Sequence, residues 1–108
     1  MSDAMILVTS DAIPGRSIRE VHGLVRGTSV RSRHLGRDLL ASMKNLVGGE
    51  MHEYTKLLAE AREQALDRMC AEARAMGANA VVGVRFSSSE IARCAAEVLV
   101  YGTAVSVG

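Results

Sequence analysis

Histidines and cysteines are the side chains of this 108-residue chain best suited to hold a soft metal ion: His22, His34, His52, Cys70 and Cys94. A metal centre needs His, Cys or carboxylate ligands that converge, commonly three or four of them. The sequence contains no HxxxH and no CxxC, and these donors are scattered along it. Only His52 and Glu53 stand together, and adjacent helical residues do not share a face. An oligomer that brings one such residue per subunit to a common axis would still make a site, so a heavy metal ion is the cofactor to test. The plainer explanation is surface histidines and reduced thiols that behave as small apolar residues.

Other patterns invite chemistry and have simpler readings. Gly48-Gly49 ahead of a helix suggests an anion cradle, because free N–H groups and the helix dipole favour negative charge. The pair lacks the Lys-Ser/Thr of a P-loop, follows no strand and is followed by Glu50, so it reads as a helix-hairpin break. Arg37, Asp38, Tyr54 and Arg62 could meet where two helices face each other, as a polar interface pocket or as a structural ion pair with a tyrosine anchored to it. Glu60, Glu63, Asp67 and Glu72 read as a solvated or interface face of a helix. No nucleophile elbow accompanies either cysteine, and Ser87-Ser88-Ser89 reads as turn chemistry, so no catalytic residue is assigned and a non-enzyme is expected.

The element that must position most of these residues is a long amphipathic helix from Met51 to Met76. Tyr54, Leu57, Leu58, Ala61, Ala65, Leu66, Met69, Ala73 and Met76 recur at helical spacing, and Gly77 supplies a left-handed stop. Leu35, Leu39, Leu40, Met43 and Leu46 predict a shorter helix before the glycine break, giving a helical hairpin of unequal arms. Strands are predicted at Met5 to Thr9, Ile18 to Arg31, Ala80 to Phe86 and Ile91 to Val107, with a turn at Ser87 to Glu90. In the second strand Val21, Gly23, Val25 and Gly27 fall on one side, and two glycines there predict a close backbone approach. The order β-β-α-α-β-β makes an α+β subunit with a largely antiparallel sheet under a helical hairpin.

Composition sets the class. Hydrophobic residues make up 48% and charged ones 23%, so the chain can bury a core as a single domain over 1–108. Aromatics are 3%, too few for the stacking platforms of single-strand binding, and the net charge of +1 leaves no basic domain, so no nucleic-acid partner is expected. No apolar run is long enough to span a membrane, the first residues are acidic rather than signal-like, and the expected address is cytoplasmic.

The last strand places Val98, Val100, Gly102 and Ala104 on one face and Leu99, Tyr101, Thr103, Val105 and Val107 on the other. Neither face reads as solvated. A helical layer covers one of them, so the other predicts a homo-oligomer. The long helix agrees: 26 residues span about 39 Å, as long as a compact body of this size.

LVGGEMHEYTKLLAEAREQALDRMCAEARAMGANAVVGVRF, with Gly36-Arg37-Asp38 before it and Gly102-Thr103-Ala104-Val105 after it, resembles the signature of the YbjQ-like family of small bacterial and archaeal proteins. The resemblance spans nearly the whole chain. It implies a subunit of the dodecin-like group, assembled as a ring-shaped pentamer whose extra strands help join neighbours. The family's role is unestablished, and some members carry a heavy-metal-binding label. Binding or scaffolding is therefore the expected function, with a metal or a small molecule at subunit interfaces as the alternatives. Asn45 and Glu50 depart from the family's usual charges beside the glycine break.

Overall fold

The computed structural model describes residues 4–32, 49–92 and 95–108, with the backbone alone at 49–54 and at 92. Elements follow in the order β1 (Ile6–Leu7), β2 (Ile18–Ser32), α1 (Gly49–Ala75), β3 (Ala80–Ala92) and β4 (Ala95–Val107). The sheet order is β1-β3-β4-β2. β4 is antiparallel to both β2 and β3, while the short β1 is parallel to β3. The predicted α+β class and strand order agree with this mixed sheet. The shorter helix predicted at Leu35 to Leu46 lies outside the described residues.

α1 packs on β2 and β4 through a narrow stripe. Ala61, Ala65, Met69 and Ala73 are fully buried against Val25, Val98, Val100 and Ala104. Ala61, Ala65 and Ala73, in a four-residue register completed by Met69, let the helix axis come close. Gly27 is where it does: a Cβ there would overlap the Ala65 carbonyl oxygen and come 2.6 Å from the Met69 nitrogen. The helix ends where expected, in a Schellman motif. Gly77 has φ +90°, its N–H donates to Arg74 O at 2.9 Å, and the Ala78 N–H reaches Ala73 O at 3.0 Å.

Three local expectations are corrected. Ser87 to Glu90 is strand rather than turn, since Ser87 pairs with Leu99, Ser88 with Val98, Ser89 with Glu97 and Glu90 with Ala96. Polar residues are tolerated there because both faces of this part of β3 are exposed. Ile91 consequently belongs to β3, and β4 begins at Ala95.

Gly23 makes no close approach; nothing lies within 4 Å of its would-be Cβ, and its φ is +123°. It sits at a register shift between Val21 and Gly23, and the extra residue sends Val21 to the face opposite Val25. Val21 is accordingly 64% exposed while Val25 is fully buried.

The sheet face away from α1, the far face, is not wholly bare. At one end Ile6, Val8 and Ile13 pack over Ala80, Val82, Val105 and Val107 as a second small core. Val105 is therefore buried within its own subunit. Beyond that cover, Val21, Leu24, Val30 and Tyr101 stay exposed. The radius of gyration, 17.2 Å, exceeds the about 13 Å of a compact chain of this length.

Candidate functional site

The residues singled out above are only partly placed. Arg37, Asp38 and Gly48 lie outside the described residues, as do His34 and Cys94. Gly49 is the first residue of α1, so this half of the expected break is already helical. His52, Glu53 and Tyr54 follow within the first two turns of the same helix. Arg62 is exposed on α1. The described residues therefore do not assemble the Arg37, Asp38, Tyr54 and Arg62 set.

One acidic and one basic residue of α1 have a clearer task. Glu72 Oε1 accepts a hydrogen bond from the backbone N–H of Arg26 at 2.9 Å. Arg68 donates to the carbonyl of Thr28 at 2.6 Å. Two helix side chains thus cap backbone groups on the outer edge of β2, which has no strand beyond it among the described residues. Nearer the start of α1, an open groove of about 530 Å³ is lined by Arg31, Lys56, Glu60, Glu63, Gln64 and Asp67. Arg31 Nη1 stands 3.9 Å from Glu60 Oε1 across it, in a pair exposed enough to contribute little stability. Ser29, 1% exposed, donates its hydroxyl to Gln64 Oε1 and ties β2 to the helix beneath the groove.

One polar cluster carries no signal in the sequence. His22 Nε2 lies 2.7 Å from Ser106 Oγ, and that hydroxyl donates to Gly77 O at 3.3 Å, so Nε2 is the donor nitrogen of the ring. Glu20 Oε1 is 4.0 Å from the same Nε2. A hydrolytic triad needs serine and carboxylate on opposite ring nitrogens, with the serine proton free to move to the ring. Here both partners crowd one nitrogen and the hydroxyl is committed to a carbonyl, so the cluster pins the bulged start of β2 to the C-terminal end of α1.

A heavy metal does not fit the described residues of a single copy. No three His, Cys, Asp or Glu side chains converge among them. Burial pushes the Cys70 thiol above its ordinary pKa; Arg74 opposes that shift and Asp67 adds to it. A thiol held neutral is a poor ligand and a poor nucleophile.

Gly77-Ala78-Asn79-Ala80 is explained by folding. Asn79 Nδ2 donates to Val107 O at 2.9 Å, and the Val107 N–H donates to Asn79 Oδ1 at 2.8 Å. Its backbone N–H reaches Val105 O at 3.1 Å, and its carbonyl accepts from Ile6 N at 3.2 Å. One residue thereby joins the helix exit to β1 and β4.

A family model described as "Putative heavy-metal-binding" matches residues 5–108. A UPF0145 protein from Clostridium perfringens is 52% identical over 101 residues, which is 94% of this chain and 95% of the relative. A UPF0145 protein from Thermus thermophilus is 54% identical over 101 residues, 94% of this chain and 89% of the relative. An archaeal one, from Archaeoglobus fulgidus, is 50% identical over 97% of both chains. Among solved structures, a protein of unknown function from Pediococcus pentosaceus superposes with a TM-score of 0.57 at 18% identity, covering 96% of this chain and 98% of that one. That likeness bears on the fold alone.

Proposed function

The chain belongs to the YbjQ-like, UPF0145 family, and on that premise we propose that it is a cytoplasmic homo-oligomer, a dodecin-like ring of five copies, that binds or scaffolds and catalyses no reaction. The observation that carries this reading is the apolar stripe on the far face. Val21 is 64% exposed, Leu24 66%, Val30 53% and Tyr101 38%. Their ladder partners are Val105, Thr103, Glu97 and Arg26, which keeps the four on one side of the sheet. Large apolar side chains gathered on one exposed sheet face mark an interaction surface more often than a free one.

Among the described residues no helix is long and apolar enough to cross a membrane. Further copies of the chain would cover the stripe. The elongated subunit supports the same reading, since a body wider than its own core gains most from neighbours.

Native mass spectrometry with elemental analysis tests this. A metal-free species near five times 11.5 kDa is the expected result. A single particle near 11.5 kDa at micromolar concentration overturns the ring. Stoichiometric metal that is lost in His52→Ala replaces the scaffold reading with the family's heavy-metal description. A retained small molecule moves the function to a subunit boundary, where Arg37, Asp38, Tyr54 and Arg62 are the residues to substitute.

A further inference from the structure

The far face of the sheet carries charge as well as apolar surface. Tyr101 of β4 stands opposite Arg26 on β2 and Arg85 on β3, so the three lie in one row across the sheet. Directly opposed residues project to the same face with about 5 Å between paired Cα atoms, which sets the two arginines about 10 Å apart with the ring between them. All three are exposed. The rungs on either side are neutral, Leu24 with Thr103 and Thr28 with Leu99 and Ser87.

Neither arginine has an anionic partner among the described residues. Arg85 Nη1 donates to the carbonyls of Thr9 at 2.9 Å and Val84 at 3.0 Å, which fixes the guanidinium and leaves its charge uncancelled. The backbone N–H of Arg26 reaches Glu72, but no hydrogen bond or ion pair among the described residues holds its guanidinium. Glu97 lies two rungs away between Val30 and Ser89, about 13 Å along β4 from Tyr101. Asp11 is held beside Gly83 at the outer margin of β3, two strands from Arg26.

Covering the apolar stripe, as the oligomer reading requires, also covers Arg26, which lies between Leu24 and Val30 on the same face of β2. A guanidinium taken out of water without an anion beside it is strongly disfavoured. Each further copy brings two arginines and one Glu97 to the uncovered part of this face, so assembly accumulates positive charge. The balance has to come from an anion that the face itself does not carry.

We infer that Arg26, Tyr101 and Arg85 form a binding site for a nucleoside di- or triphosphate, its phosphates on the two guanidiniums and its base on the Tyr101 ring. The inference deepens the binding half of the function proposed above and rests on the oligomer reading. Guanidinium forks match phosphate oxygens two at a time. Two forks on Cα atoms about 10 Å apart call for a ligand with more than one phosphate, since a single inorganic phosphate engages one of them. Leu24 and Tyr101 supply open apolar surface beside the forks. A rigid planar base keeps its full contact on such a surface, whereas an acyl chain would give up its rotational freedom for contact on one side only. Thr28 and Ser87, one rung away on the same face, add hydroxyls within reach of a ribose.

Calorimetric titration of the full chain with ATP, with inorganic phosphate and adenosine as separate arms, tests this. ATP should bind the wild type, and phosphate and adenosine should each bind at least about tenfold more weakly. Arg26→Gln should weaken ATP about tenfold or more and Tyr101→Leu several-fold, while Arg26→Lys recovers part of the loss. Circular dichroism of these variants should match wild type, because the substituted positions are exposed. A wild-type assembly that takes up no ATP at about 1 mM, or Arg26→Gln binding equal to wild type, overturns the site and leaves the oligomer reading standing. Phosphate bound as tightly as ATP overturns the nucleoside class. Sedimentation reads the assembly separately, and a monomeric wild type overturns the oligomer reading whatever the titration shows.

Discussion

Asn79 and Val107 form a closed two-bond ring in which a side-chain amide imitates a β-ladder, Nδ2 donating to the carbonyl at 2.9 Å and Oδ1 accepting the N–H at 2.8 Å. Asn79→Asp keeps the acceptor, loses the donor and sets a carboxylate against the Val107 carbonyl. It should destabilise the fold by about 1–3 kcal/mol, and Asn79→Ala by a similar amount, since a buried partner left unsatisfied costs that much. Urea denaturation followed by circular dichroism gives the value; an unchanged midpoint would refute the role.

Gly27 and Gly23 should respond differently to alanine. At Gly27 the added methyl meets the backbone of Ala65 and Met69, which cannot rotate away. The helix must lift, at a cost of about 3 kcal/mol or more. At Gly23 there is space, and the penalty is the left-handed backbone alone, about 1–2 kcal/mol. Equal midpoints for the two variants would contradict the close approach.

Met69, on the sheet-facing side of α1, is the largest fully buried side chain among the described residues. Met69→Ala should cost about 2–5 kcal/mol, the range for cavities that alanine-lined walls cannot collapse to fill. Thermal unfolding monitored by calorimetry would show it.

Cys70 should react slowly with iodoacetamide at pH 7. Its pKa is raised in the fold, chiefly by burial, so the native state disfavours the thiolate. The sign follows: this contribution to stability is complete below the thiol's unfolded pKa and is lost as pH rises through the folded one. Peptide mapping of alkylated protein across pH 7–10 should therefore show labelling of Cys70 rising later than that of a free thiol.

Leu24→Glu should leave a single copy folded, because Leu24 is 66% exposed. It should weaken assembly. Val105→Glu is a poor probe of the same contact: Val105 is 1% exposed beneath Ile6, Val8 and Ile13, so the change would unfold the subunit instead.

Much of the fold is legible in the residues because short-range physics decides it. Helical spacing from Leu57 to Ala73, the left-handed Gly77 and the apolar run after Asn79 each specify a local conformation whatever surrounds them, and α1, its stop and β3 follow. The small-residue face of β4 correctly indicates a close helix. What Gly27 touches is likewise foreshadowed by its place among the small residues of β2. The family's Gly-Ala-Asn-Ala motif is visible as letters, but its purpose is not, because the bonds of Asn79 reach Val107 across 28 positions.

Tertiary structure alone decided the rest. Ser87 to Glu90 has turn-like composition, yet the register against β4 makes it strand. One extra residue at Gly23 reverses the facing of Val21, a change that alternation cannot foresee. The meeting of His22 with Ser106, the capping of β2 by Glu72 and Arg68, and the cover of Val105 by the N-terminal segment are all contacts between distant positions. Local sequence selects a residue's backbone conformation, whereas which faces end up dry depends on how the elements stack, and that is settled only when the whole chain has packed.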